Sequence, residues 1–211
     1  MSGSIAAVLP GARAGSLGGL FAESGVAMIE YALTRDDLAA MDTMFPALPD
    51  RAAGARAHAF SAAAHAWLAG HQRLLEVAGR LLQAPARLSR VQAFDKSARA
   101  NWFVPWHQDR AEDGRERDLS LLERTAALRV HLDDCDENNG PLDVIPGTHV
   151  HGRLEADAIS ALVAVTPSRL CLAVRGDIVA LRPLLLHRSQ RARVPAARRV
   201  VHLEFLGVRG S

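Results

Sequence analysis

From Leu88 to Gly207 the chain is a succession of short apolar runs separated by turn residues, and this rhythm constrains the fold more than any single motif. The runs RLSRVQAF, ANWFVPWH, ALRVHLD, LDVIPG, LCLAV, DIVALRPLLLH and RRVVHLEFLG read as strands, with NNGP at 138–141, PG at 146–147 and RGD at 175–177 as the turns between them. Ahead of this region VAMIEYAL, at 26–33, reads as an early strand. TRDDLAAMDTMF behind it reads as a helix opened by Thr34, whose hydroxyl suits an N-cap and whose first turn is acidic. The alanine-rich stretch 52–82, interrupted by Gly54, Gly70 and Gly79, predicts one long helix or two consecutive ones, ended by Pro85. Helices first and short strands after give an α+β, mainly β class: a double-sheet jelly roll with N-terminal helices packed on its outside.

At 211 residues the chain suits one domain with a substantial core. The expectation is a single domain over 1–211, with 1–20 a candidate flexible segment and 110–124, charged and aperiodic at its start, a candidate lid loop. A hydrophobic fraction of 49% and a charged fraction of 23% are those of a soluble globular protein, and no apolar run approaches the length of a bilayer span. The N-terminus lacks a basic start followed by a sustained apolar stretch, which makes the cytoplasm the expected location and a membrane partner unexpected. Cys135 and Cys171 are too few for a disulfide framework or zinc site and read as buried bystanders. The net charge of +2 is small and the arginines are dispersed, which argues against a nucleic-acid surface. Oligomeric state leaves no mark. Twenty-four of the 25 basic residues are arginine, so the single lysine, Lys96, stands out: either a compact ammonium is kept where a planar fork would not fit, or the residue is simply an exposed survivor.

Chemistry enters with WHQD at 106–109 and LLLHRS at 184–189. His107 and Asp109 are two apart, so on a strand both side chains leave one face and can grip one ion; His187 closes a third corner from a strand distant in sequence. Two histidines and one carboxylate are the grouping that holds non-haem Fe(II) with positions left open for a co-substrate and O₂. An isolated H-x-D is weak evidence, and a second histidine at the end of an apolar strand strengthens it. Arg198 follows in a strand that can lie beside the metal, where its fork suits a carboxylate and Ser189 adds a hydroxyl. Arg199 is the rival. Strand alternation groups Arg199 with Val201, Leu203 and Phe205, and Arg198 with Val200, His202 and Glu204; the second face is more polar, which favours Arg198 as the inward residue.

These residues resemble the phytanoyl-CoA dioxygenase (PhyH) family of Fe(II)/2-oxoglutarate-dependent oxygenases, from about Gly25 to Phe205. The resemblance is carried by FDKSARANWFVPWHQD, by DDCDENNGPLDVIPGTH, and by LLLHRS followed by RRVVHLEF. It implies a double-stranded β-helix of the cupin kind, His107, Asp109 and His187 as iron ligands, and Arg198 with Ser189 at the remote carboxylate of 2-oxoglutarate. Lys96 and Asn101 match family positions close to the site and are carried over as co-substrate contacts. The implied cofactors are Fe(II), 2-oxoglutarate and O₂. The implied reaction hydroxylates a small organic metabolite and releases succinate and CO₂; relatives that halogenate have lost the carboxylate that Asp109 supplies. A reading of another class is a cupin-like metal-dependent binding protein, isomerase or hydrolase that does not use 2-oxoglutarate, since a jelly roll alone does not fix chemistry. Arg198 discriminates between the two.

The remaining candidates carry blander expectations. His58 and His65 could share a helix face but lack a third partner. His149 and His151 form a competing H-x-H, but PGTH at 146–149 reads as a turn, from which His149 could line the cavity or brace a ligand. His131 and His202 are expected as strand residues with structural hydrogen bonds. Trp102, Phe103 and Trp106 are expected in the core, with Phe103 on the face of His107 and Asp109. Arg129 is a candidate for an anionic substrate group or a partner of Asp109.

Overall fold

The computed structural model describes residues 16–48, 54–55, 60–97, 100–109, 118–194 and 196–208, with most helices in the first half and most strands in the second. The first half runs α1 (Leu17–Ser24), β1 (Val26–Ile29), α2 (Arg35–Met44), β2 (Gly54–Ala55), α3 (Ala62–Gly70), α4 (Gln72–Leu82), β3 (Ala86–Asp95) and β4 (Val104–His107). The second runs α5 (Leu119–Leu122), β5 (Thr125–His131), β6 (Leu142–Val144), a 3₁₀ turn at Thr148–His151, α6 (Ala156–Val165), β7 (Arg169–Cys171), β8 (Ile178–Leu181), β9 (His187–Ser189) and β10 (Arg199–Gly207). Two antiparallel sheets result, one ordered β1-β8-β5-β10-β3-β2 and the other β4-β9-β6-β7.

The large sheet has two apolar coverings. Its outer face, with Ala27, Ile29, Leu128, Val130, Val201, Leu203 and Phe205, packs on the helices. Helix α4 supplies Leu74, Val77, Ala78 and Leu81, spaced by three, one and three so that they fall on one stripe. Full burial of each of the larger side chains is worth about 2 kcal/mol. Between the sheets Val26, Val179 and Leu181 from the large one meet Leu142, Val144 and Cys171 from the small one. Strand β5, central and covered on both sides, is buried at all seven residues. This is the jelly roll expected from the sequence, with helices on its outside.

Several expectations need correction. DIVALRPLLLH is not one strand: β8 stops at Leu181, and a turn in which the Leu185 amide donates to Arg182 O at 3.0 Å carries the chain to β9 in the other sheet. Pro183 has no N–H for a ladder, which explains the break, and the break is what delivers His187 to the small sheet. ANWFVPWH is a strand only over Val104–His107, with Pro105 tolerated because β4 is an edge. Of the two alternatives for the alanine-rich stretch, two consecutive helices are found. They are split at His71, whose Nε2 lies 3.0 Å from Asp37 Oδ1; Gly54–Ala55, expected as helix, pairs with β3. Residues 17–20, within the segment expected to be flexible, are helical, because Ser16 caps the start and Gly25, at φ 73°, ends the helix in the left-handed region that glycine tolerates. Helix α6 has no counterpart among the expected elements. Thr34 does cap α2, in a reciprocal box with Asp37. His58 and 110–117, the charged part of the candidate lid, lie outside the described residues. No helix among those described is long and apolar enough to cross a membrane.

Candidate metal centre

Register alone brings two of the three expected ligands together. Strands β4 and β9 pair with His107 opposite His187, and their rings sit with centroids 4.2 Å apart. Asp109 follows two residues later, its backbone N–H held by Pro183 O at 2.9 Å. Its Oδ1 stands 4.0 Å from His107 Nε2 and 3.7 Å from His187 Nε2, and one donor atom from each of the three residues falls within 4.8 Å of the others. Both histidines use the same local device: Nδ1 lies 2.9 Å from the carbonyl two residues earlier, Pro105 O for His107 and Leu185 O for His187. A carbonyl can only accept, so each Nδ1 carries the proton and each Nε2 offers a lone pair to the shared space. Burial, partly opposed by Asp109, pushes His187 down to about 4, so its imidazole is neutral at neutral pH. Burial would raise the Asp109 carboxyl, but His187, His202, His107 and Arg129 around it outweigh burial and hold it below the usual range. Two imidazoles that present Nε2 and a carboxylate are a donor set that fits Fe(II).

Gln108, between the two candidate ligands, is a positioning residue that the sequence did not single out. Its Nε2 donates to Gly152 O at 2.7 Å and Leu184 O at 2.8 Å, and its Oε1 accepts from the Leu154 N–H at 2.9 Å. It thereby pins the ligand segment to two distant loops. Its place inside WHQD was the only available signal. A cavity of about 300 Å³ opens at His107 and Asp109, with Trp106, Leu122, Leu154, Ile159 and Leu184 as apolar walls and Arg153 and Glu155 at its edge.

One level away from the ligands along β9 lies a second cluster. Lys96, 1% exposed, donates from Nζ to Ser189 Oγ at 2.7 Å and to Gln190 O, over the Trp102 ring at 5.2 Å. Burial first, then Arg198, brings its ammonium down to about 7. Ser189 Oγ in turn donates to Gly140 O at 3.1 Å. Gly140 has φ 75°, and a Cβ there would stand 2.9 Å from Lys96 Nζ and 2.7 Å from Gln190 O, so the lysine reaches the serine only past a glycine. Asn101 spends its side chain on one residue, donating to Ala192 O at 3.0 Å and accepting from the Ala192 N–H at 2.7 Å.

The two neighbouring arginines part company. Arg199 lies on the outer side, its Nε and Nη2 on Asp133 at 2.9 and 2.7 Å and its Nη1 3.0 Å from Asp42. Arg198 points inward beside Cys135 and is 2% exposed; its Nε and Nη1 have no hydrogen-bond partner among the described residues. A buried guanidinium left in this way is costly unless an anion completes it. Cys135 and Cys171 are both free and buried.

The other described histidines lie outside the three-residue cluster. His149 Nε2 contacts Ala22 O at 3.0 Å and its ring lies against Gly25, bracing α1 in a side cavity with Arg182 rather than touching the ligand cluster. His151 and His65 are exposed. His131 is buried, and His202 Nδ1 meets Arg129 Nη1 at 3.3 Å. Phe103, expected in the core on the ligand face, is 52% exposed, because the chain before Val104 is not a strand and alternation does not apply there. Trp106 stacks under Arg188 at 4.7 Å, and Arg188 pairs with Asp143 at 2.7 Å.

The family model described as phytanoyl-CoA dioxygenase (PhyH) matches residues 21–200. Iron, 2-oxoglutarate and O₂ are the cofactors of that family. No curated protein matches. Among solved structures, AviO1 from Streptomyces viridochromogenes Tue57 is 21% identical, with 92% of this chain and 94% of that one covered at a TM-score of 0.71. EctD from S. alaskensis with bound Fe is 22% identical, covering 90% and 75% at 0.71. The non-haem α-ketoglutarate-dependent epimerase SnoN from nogalamycin biosynthesis is 14% identical, covering 90% and 81%, also at 0.71. At these identities the likeness is one of fold.

Proposed function

The chain belongs to the phytanoyl-CoA dioxygenase family, and from that premise we propose that it is a non-haem Fe(II)/2-oxoglutarate-dependent oxygenase that hydroxylates a small organic metabolite, releasing succinate and CO₂. His107, Asp109 and His187 are the metal-holding residues: two imidazoles fixed with Nε2 inward and a carboxylate kept ionised by its neighbours. When bound, Fe(II) with 2-oxoglutarate and O₂ supplies the oxidising power to replace a substrate hydrogen by hydroxyl. Arg198 binds the remote carboxylate of 2-oxoglutarate, and its buried, partnerless Nε and Nη1 are the observation that carries this reading. Ser189 is the second donor. Its one proton now faces Gly140 O, so it turns toward the carboxylate on binding, while Lys96 holds the oxygen in place. Asn101 acts through the backbone, fixing the loop at Ala192 that leads toward Arg198. Gln108 keeps the His107–Asp109 segment at a constant distance from Leu184.

The related fold of an epimerase makes a different outcome at the substrate the second reading: the same cofactors can serve a reaction that inserts no oxygen. Turnover with Fe(II), 2-oxoglutarate and O₂ in a metabolite screen, read both as succinate and as product mass, separates the two. Hydroxylation adds one oxygen atom to the product; epimerisation leaves its mass unchanged. Succinate formation that is independent of iron or of 2-oxoglutarate contradicts both.

A further inference from the structure

The inner face of the large sheet holds a second buried arginine that the roles above leave unused. Strand register orders this face by depth. Lys96 pairs its backbone with Arg198 at one end, Gln92 and Arg129 flank His202 next, and Arg90 flanks Glu204 beyond. The middle level faces the metal-holding residues, with His202 and Arg129 both within electrostatic reach of the Asp109 carboxylate. Arg129 is 8% exposed. Its Nη1 meets His202 Nδ1 at 3.3 Å, and its guanidinium lies over the Phe94 ring at 5.2 Å. Its Nε, like His202 Nε2, has no hydrogen-bond partner among the described residues.

Elsewhere three half-buried arginines meet carboxylates, Arg199 with Asp133, Arg188 with Asp143 and Arg175 with Asp42, while Arg124 and Arg182 donate to backbone carbonyls. Arg129 has no ion pair among the described residues, although it lies within electrostatic reach of both Asp109 and Arg198.

We propose that Arg129, steadied by His202, is a second anion-binding position at the level of the metal, built to take a carboxylate or similar oxyanion. Two sources fit that chemistry: the metal-chelating end of 2-oxoglutarate, or an anionic group on the primary substrate. The proposal rests on the oxygenase reading above, and the position differs from the Arg198 clamp in depth and in partners.

The test uses the full chain loaded with Fe(II) under anaerobic conditions. 2-Oxoglutarate is titrated into the wild type, Arg129→Gln and Arg129→Lys, followed by the visible charge-transfer absorption of a metal-bound 2-oxo acid. Acetate and inorganic phosphate are then titrated into the saturated complexes, with nitric oxide on the metal as the paramagnetic reporter. A loss of tenfold or more in 2-oxoglutarate affinity in R129Q, with Fe(II) affinity kept, assigns the position to the co-substrate. An unchanged 2-oxoglutarate affinity, with an acetate or phosphate response seen in the wild type and absent in R129Q, assigns it to the substrate. Either supports the proposal. If R129Q matches the wild type in both readouts, the proposal is overturned. Should R129Q not fold, Arg129→Lys, which keeps the charge and loses the fork, replaces it, and identity with the wild type in both readouts again overturns the proposal. Failure of the wild type to bind 2-oxoglutarate tells against the oxygenase reading instead. The acetate and phosphate arm on the Fe(II) protein alone then still decides the role of Arg129.

Discussion

Adjacent residues at the head of β10 serve opposite purposes, and the two faces of the large sheet differ in the same way. On the outer face Val201, Leu203 and Phe205 pack on helices, and Arg199 is tied to Asp133 and Asp42. On the inner face Arg198, His202 and Glu204 are buried polar groups, with His202 within electrostatic reach of Asp109. One face stores stability, and the other holds buried polar groups, among them Arg198, whose Nε and Nη1 have no hydrogen-bond partner among the described residues. Strand alternation lets a single segment do both without either set of residues intruding on the other.

Substitutions on the two faces should therefore fail differently. The largest effect is expected for Arg198→Ala: loss of its charge-assisted hydrogen bonds, at about 3 kcal/mol, should weaken 2-oxoglutarate roughly a hundredfold and abolish succinate formation while Fe(II) still binds. Arg199→Ala should leave 2-oxoglutarate affinity within about threefold and lower stability by about 1 kcal/mol in denaturant unfolding. Equal effects of the two variants would erase the distinction between the faces.

Next in size is Leu203→Ala. It should cost about 3 kcal/mol through transfer and cavity terms, while the folded fraction keeps its affinity for metal and 2-oxoglutarate. A selective loss of ligand binding without loss of stability would show the outer face to be part of the site.

A smaller effect belongs to pH. His131 is held down to about 3 by burial, with Arg129 and Arg198 adding to it, against an ordinary value of 6.5. The unfolded chain therefore takes up this proton first: stability is unaffected above about pH 6.5 and is lost progressively as pH falls toward 3. His131→Gln should flatten that part of the unfolding free energy against pH, by about 2 kcal/mol at pH 5. A slope unchanged by the substitution would remove His131 from the account. The smallest effect is Thr34→Ala, about 1 kcal/mol through loss of the α2 cap, with no change at the metal centre.

How much of this was legible in the sequence follows from how local each feature is. Strand and cap signals are local, so the strand series, the Thr34 cap and the polar alternation that points Arg198 inward all emerge from residue order. His107, Asp109 and His187 emerge because H-x-D is short and a terminal histidine follows an apolar run. What remained hidden depends on partners far away in the chain. Pro183 splits an apparent strand so that His187 changes sheets, Gln108 reaches carbonyls at 152 and 184, and Gly140 yields space to Lys96. Phe103 failed because a periodicity was extended beyond the strand that enforces it. The retained lysine proves to be a buried contact of Ser189 rather than an exposed survivor.

The central claim is that the inward arginine beside the three ligands is the seat of 2-oxoglutarate. Anaerobic calorimetric titration of 2-oxoglutarate into the Fe(II)-loaded wild type and Arg198→Ala tests it most directly. The account predicts one-to-one binding in the wild type and a loss of about a hundredfold in the variant, with the metal retained in both. Binding of equal strength in the two proteins, or none in the metal-loaded wild type, would contradict it.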